Sequence, residues 1–273
     1  MVSTRVSSKG LKIAIAGKGG VGKTTLAGTL ARLLARSGLR VLAIDADPAM
    51  NLFYALGISP DQLKSVKPIS ERSDLVEERT SFKSFQSLGA AFRLNPKVDD
   101  IVDRYGVQGP DGVRLLVMGT VKSAGSGCMC PANALLRALV RHLVLERDDV
   151  VILDMEAGLE HLGRGTARGV DLMMIVVEPG RQSVETARRI AGLAEELKIS
   201  KVVAVGNKIS SIEEQESLKH SVRQIGIPLA GMIPFDKQLL EADISQTAPI
   251  DCSNSPAVIA IGEVKDWLLA GFT

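Results

Sequence analysis

The chain has 273 residues, 45 % hydrophobic but only 3 % aromatic, so an aliphatic core must support one large α/β domain or two small ones. Its 33 Lys and Arg against 31 Asp and Glu leave a net charge of +2 with no block of one sign, which argues against nucleic acid or an anionic membrane as partner. No run of about 18 apolar residues occurs, and three cysteines make no disulfide framework, so a soluble cytoplasmic protein is expected.

The basic start "MVSTRVSSKG" leads straight into a strand, "KIAIAG" (12–17), rather than into the longer apolar stretch and cleavage site of a signal peptide. The strand runs into "GKGGVGKT" (17–24), a full match to the phosphate-binding pattern G-x-x-x-x-G-K-[ST], and a helix follows over 23–37. Glycines let the loop curl so that successive N–H groups face phosphate oxygens, and the helix N-terminus adds partial positive charge. Gly19, Gly20, Val21, Gly22, Lys23, Thr24 and Thr25 are the candidate nucleotide contacts, Lys23 for the β and γ phosphates and Thr24 for Mg²⁺. Lys18 occupies a position that the plain pattern leaves free; its plainest reading is a solvated loop lysine.

A second strand (40–45) opens "AIDADPAMNL", with Asp45 at its end and Asp47 and Asn51 beyond; Asp47 alone reads as a turn or helix-capping residue. Residues 58–110 are polar and broken by Pro60, Pro68, Pro96 and Pro110, with a helical possibility in "DLVEERT" (74–80). They read as an irregular or helical insertion within a single 1–273 domain. A third strand (113–119) precedes "GSGCMCPAN", where Cys128 and Cys130 stand at i and i+2, able to face one side in an extended loop. Such thiolates suit Zn²⁺ or Ni²⁺, but a pair supplies only half of a four-coordinate site. A redox pair and inert buried thiols are the other readings, and Cys252 looks incidental.

A helix over 131–147 leads to the strand "DVVILD" (149–154), whose terminal Asp154 has the Walker-B layout of a Mg²⁺-holding aspartate. Strands at 172–178, 201–207 and 229–234 alternate with helices at 183–197, 211–224 and 256–270. Asn207 ends one of these strands where it can meet a purine edge. No Asp stands two residues on from Lys208, so the guanine-reading pattern is absent and ATP is favoured. The strands are near-continuous apolar runs, the mark of a parallel sheet covered on both faces. The expected fold is α/β: a mostly parallel sheet of seven or eight strands with helices on both faces, a P-loop NTPase.

"KGGVGKTT" resembles the deviant phosphate-loop ATPases, the class of MinD, ParA and the nitrogenase iron protein. The resemblance implies that Lys18 reaches the partner's ATP across a homodimer. It also implies that Asp47 handles the attacking water near Mg²⁺, that Asn51 touches nucleotide across the interface, and that Pro234 of "MIPFD" packs near adenine. The catalytic set would be Lys18, Lys23 and Asp47; the Mg²⁺ set, Thr24, Asp47 and Asp154. Asp154, Ala157 and Gly158 fit the second switch of that class, with Glu156 where many members carry proline.

The stretch 128–171, from "CMCPANALLR" to "EHLGRGTARGVD", resembles the CooC-type nickel-insertion ATPases. That resemblance implies an ATP- and metal-promoted dimer in which Cys128 and Cys130 of both subunits share Zn²⁺ or Ni²⁺. Its client would be the carbon monoxide dehydrogenase catalytic subunit or its acetyl-CoA synthase complex. His161 reads as a structural hydrogen-bonder. Two rivals stand beside this reading: a positioning or partitioning ATPase of the MinD or ParA kind, and an electron-transfer ATPase holding one [4Fe–4S] cluster between subunits.

Overall fold

A computed structural model describes residues 10–47, 49–64, 66–80, 96–119, 131–145, 149–156, 167 and 169–272. Eight strands form one sheet: β1 (Lys12–Gly17), β2 (Val41–Asp45), β3 (Val107–Gln108), β4 (Arg114–Val117), β5 (Val150–Asp154), β6 (Leu172–Val177), β7 (Val202–Ile209) and β8 (Leu229–Pro234). Their order is β3-β4-β2-β5-β1-β6-β7-β8, and every pairing is parallel except β3 with β4. The seven parallel strands are those read from the apolar runs. The antiparallel edge strand β3 was not foreseen, because two residues carry no periodicity to detect.

Strand residues alternate between two aliphatic layers. Ala14, Ala16, Val151 and Leu153 face one cluster; Ile13, Ile15, Val150 and Ile152 face the other. Ten helices are described: α1 (Lys23–Arg36), α2 (Leu52–Leu56), α3 (Pro60–Leu63), α4 (Ser73–Thr80), α5 (Ile101–Tyr105), α6 (Pro131–Leu145), α7 (Arg181–Glu196), α8 (Ile212–Ile225), α9 (Lys237–Ile244) and α10 (Pro256–Phe272). The first cluster packs under α4, α5, α6, α7 and α8, and the second under α1, α2 and α10. With both faces covered, the strands have no solvent side, and this is why the sequence shows apolar runs rather than alternation.

Residues 58–80 and 96–110 contain short helices and 3₁₀ turns rather than a sheet of their own. Leu75 of α4 and Ile101 and Val102 of α5 are buried in the same layer as Leu135 and Leu139 of α6. On the opposite face, buried Arg32 of α1 donates to Asp111 at 2.7 Å and to Asp251 at 2.8 Å, tying the helix to two distant turns.

Gly28 lets α1 and α2 touch: a Cβ there would lie 2.6 Å from the Ala55 Cβ and 2.7 Å from its carbonyl carbon. Two effects compete in Gly28→Ala. Helix propensity favours alanine by about 1 kcal/mol, while overpacking against backbone costs about 1–3 kcal/mol. We expect the overlap to win and the urea unfolding midpoint to fall; an unchanged or raised midpoint would show that α2 yields freely.

Candidate nucleotide site

The strand order reverses direction around β1, and in open α/β sheets such a switch point, beyond the carboxyl ends of the parallel strands, is where ligands bind. β1 enters the phosphate loop at Gly17, with Val176 of β6 directly beside it. Gly20 (φ 78°) and Gly22 (φ 97°) take left-handed backbone, which glycine adopts without a Cβ clash. A Cβ at Gly22 would also run into the Asn207 amide. Gly19 and Gly20 are exposed, whereas the Val21 side chain is fully buried and anchors the loop in the core.

Helix α1 starts at Gly22 with no side-chain cap and no acidic residue in its first turn. Its leading N–H groups are therefore left for an anion. Lys23 is buried, yet its Nζ makes one long hydrogen bond, 3.4 Å to the Lys18 carbonyl, and no ion pair among the described residues. A buried ammonium with spare donors beside uncapped helix N–H groups is arranged for phosphate. Thr24 and Thr25 follow, both half-buried.

Two carboxylates lie behind the loop. Asp45 and Asp154 are paired across β2 and β5, and both are fully buried. Asp45 is satisfied: its oxygens accept N–H groups of Asp47 at 3.2 Å and Leu52 at 2.9 Å. Burial pushes its pKa up to about 6, against the pull of those two hydrogen bonds, with Asp47 adding repulsion. Asp154 is not satisfied: neither oxygen has a hydrogen-bond partner among the described residues. Burial pushes Asp154 to about 7; the Thr24 hydroxyl nearby lowers it somewhat, as does Lys23, while Asp45 and Asp47 raise it. An unpartnered buried carboxylate facing a threonine hydroxyl fits a hard divalent cation, so Thr24 and Asp154, with half-buried Asp47 near them, fit Mg²⁺.

Asp47 also serves the turn that its sequence position suggests, accepting the Ala49 N–H at 2.8 Å. That turn closes through Met50 in left-handed backbone (φ 48°) and delivers Asn51, exposed and making no cap, to the start of α2. Pro234 ends β8, half-buried, paired with Ile209 of β7. Cys128, Cys130, Ala157, Gly158 and His161 lie outside the described residues. Among the described residues no group of three or more His, Cys, Asp or Glu is arranged to hold a metal. Cys252 is half-buried beside Gln238.

Asn207 does more than its sequence position suggested. Its Nδ2 donates to the Val21 carbonyl at 2.7 Å, so it grips the phosphate loop from behind. Lys208, read only as part of an absent guanine motif, donates to the Gly20 carbonyl at 2.6 Å. Glu178, just past β6, takes Lys208 at 3.3 Å and Lys18 at 3.8 Å. The signal available in sequence was position: each stands at the end of an apolar strand, where a parallel sheet collects its functional groups.

Fold and site together define a P-loop nucleotide-binding protein of the kind that carries a second lysine in its loop. The model of the CobQ/CobB/MinD/ParA nucleotide binding domain matches residues 12–250, and the chain belongs to that family, within it to the CooC-type ATPases. It is 46 % identical over 243 residues, 89 % of this chain and 90 % of the relative, to the carbon monoxide dehydrogenase accessory protein CooC of Rhodospirillum rubrum. It is 45 % identical over 234 residues, covering 85 % and 88 %, to an uncharacterized ATP-binding protein of Methanocaldococcus jannaschii. Among solved structures, the MinC:MinD cell division complex of Aquifex aeolicus superposes with a TM-score of 0.68 at 22 % identity, covering 94 % of this chain and 95 % of that one. MinD of Pyrococcus horikoshii complexed with Mg-ADP gives 0.65 at 16 % identity, covering 95 % and 96 %. At such identities these structures speak for the fold.

The orphaned carboxylate has a consequence for stability. Folded Asp154 keeps its proton to about pH 7, against the ordinary value of 3.8, so the folded chain binds more protons than the unfolded chain between those values. Stability from this group therefore falls as pH rises through the window. Asp154→Asn should stabilise the nucleotide-free protein at about pH 8 by roughly 2–4 kcal/mol, the gain shrinking as pH falls toward about 4. Urea unfolding at both ends of that range tests it; a gain independent of pH would mean that the carboxyl ionises freely. Asn207→Ala, which frees the Val21 carbonyl, should weaken ADP binding about tenfold by calorimetry.

Proposed function

We propose that this protein is a nucleotide-dependent dimerising ATPase of the cytoplasm. It carries Ni²⁺ or Zn²⁺ on Cys128 and Cys130 of two subunits and assists nickel insertion into carbon monoxide dehydrogenase. The observation that carries the reading is the 46 % identity to CooC over nearly the full length of both chains. The +2 net charge supports the expectation that neither nucleic acid nor membrane is a partner. Among the described residues no helix is long and apolar enough to cross a membrane.

ATP is the substrate. Its phosphates take the uncapped N–H groups of α1 and the spare donors of Lys23, with the loop held in shape by Asn207 and Lys208. Thr24 and Asp154, with Asp47 near them, would hold Mg²⁺, which would supply counter-charge for the phosphates. Asp47 orients the attacking water and takes its proton. Lys18 of the partner subunit neutralises charge developing on the transferred phosphoryl group, as an arginine finger does. Pro234 borders the adenine, and Asn51 and Asn207 complete the nucleotide contacts. Asp45, by holding the N–H groups of Asp47 and Leu52, ties this segment to the sheet. β5 follows directly on α6, so loss of the γ-phosphate at Asp154 has a path to the cysteine loop preceding that helix.

The trans role of Lys18 has a decisive test. Lys18→Ala and Asp47→Ala are each expected to lower kcat about 100-fold or more. Mixed, they should recover about a quarter of wild-type activity, because half of the sites in a mixed dimer receive both an intact Asp47 and an intact partner lysine. No recovery would place Lys18 in cis. For the cargo, metal analysis combined with sizing should give about one ion per ATP-analogue dimer and none after Cys128→Ala with Cys130→Ala. Unchanged metal content in the double variant would refute the shared thiolate site.

A further inference from the structure

Three neighbouring strands end side by side at the phosphate loop. β1 pairs with β6 up to Gly17 and Val176, and β6 pairs with β7 up to Val177 and Gly206. The residues just beyond bring Lys18, Glu178 and Lys208 together. One Glu178 oxygen meets Lys18 Nζ at 3.8 Å, and the other meets Lys208 Nζ at 3.3 Å. The carboxylate is thus shared between two ammonium groups, one on each oxygen.

The two contacts differ in kind. Lys208 sits in left-handed backbone (φ 58°) and is also bound to the Gly20 carbonyl at 2.6 Å, so it is pinned at both ends of its reach. Lys18 has Glu178 as its one ion-pair partner among the described residues, at a distance too long for a hydrogen bond, and 37 % of its side chain is exposed. Lys208 is therefore a staple, and Lys18 is held by a contact that can be broken.

We propose that Glu178 is the resting latch of Lys18, a positioning residue that parks the lysine on its own subunit until an ATP-bearing partner draws it across. The inference rests on the reading that Lys18 acts in trans. To serve the partner's ATP, Lys18 must leave Glu178. An exposed ion pair is weak, so the latch is readily opened, but it sets a threshold that a triphosphate passes more easily than a diphosphate because it offers more negative charge. Two latches open per dimer.

The experiment is a double-mutant cycle on dimerisation, followed by analytical ultracentrifugation in a non-hydrolysable ATP analogue with Mg²⁺. Glu178→Gln keeps the shape and an acceptor for Lys208 but removes the charge. It should tighten the dimer on the order of tenfold, two weak ion pairs being relieved at once. In a Lys18→Ala background the same substitution should change nothing. Glu178→Asp, one methylene shorter, should act in the same direction and replaces the glutamine variant if that fails to fold. An unchanged or weaker Glu178→Gln dimer would overturn the latch. So would an equal tightening with and without Lys18, since Glu178 would then act by general repulsion. The mixture of Lys18→Ala with Asp47→Ala separates the two readings. Recovery of activity there, with no effect of Glu178, discards the latch alone; no recovery discards the trans lysine on which it rests.

Discussion

A buried carboxylate whose oxygens find no hydrogen-bond partner among the described residues stands at the end of the strand beside β1, and the site is arranged around that cost. Asp154 is held there by β5, fully enclosed between two aliphatic layers. Among the described residues the charged groups that act on it are Lys23 and two further carboxylates, Asp45 and Asp47, so positive charge is in the minority there. A protein keeps such an arrangement where a ligand repairs it. Mg²⁺ would bring positive charge, and the phosphates would bring the negative partner that Lys23 lacks among the described residues. The nucleotide-free site and its ligand are complementary in what each leaves unsatisfied.

The phosphate loop could not meet that ligand as a free coil. Its carbonyls are held from behind by two adjacent residues of β7, Asn207 on Val21 and Lys208 on Gly20, while the Val21 side chain is sunk in the core. The loop's shape is thereby held before any anion arrives. This removes part of the ordering cost of binding. It also gives Gly22 a second reason to be glycine, since the Asn207 amide fills the space that a side chain would need.

The same sheet that builds the site couples its parts. Asp45 and Asp154 share a register position on β2 and β5, and Asp45 carries the segment of Asp47 and Asn51 through two backbone hydrogen bonds. β5 follows α6, which packs against α4 of the inserted segment, so the insertion supports the helix that follows the cysteine pair.

Much of this was written locally. Apolar runs gave the seven parallel strands, because a strand buried on both faces must be apolar throughout. "GKGGVGKT" identified the phosphate loop, because the loop's geometry needs those residues at consecutive positions. Asp154 stood out in sequence as the carboxylate ending an apolar strand, whereas Asp47 read from its position alone as a turn residue, and as a turn residue it accepts the Ala49 N–H. β3, two residues long, was not legible, and neither was the division of labour among Glu178, Asn207 and Lys208. Those contacts join residues more than 150 positions apart for Asn207 and Lys208, and no local pattern encodes which carbonyl an amide will reach. Sequence by itself determined the class of fold, the phosphate loop and the family, since each rests on short-range pattern. Only the tertiary structure decided which carboxylate lacks a hydrogen-bond partner among the described residues, which lysine is bound to a loop carbonyl and which rests on a longer ion pair, because burial and pairing are set by strands that meet from distant parts of the chain.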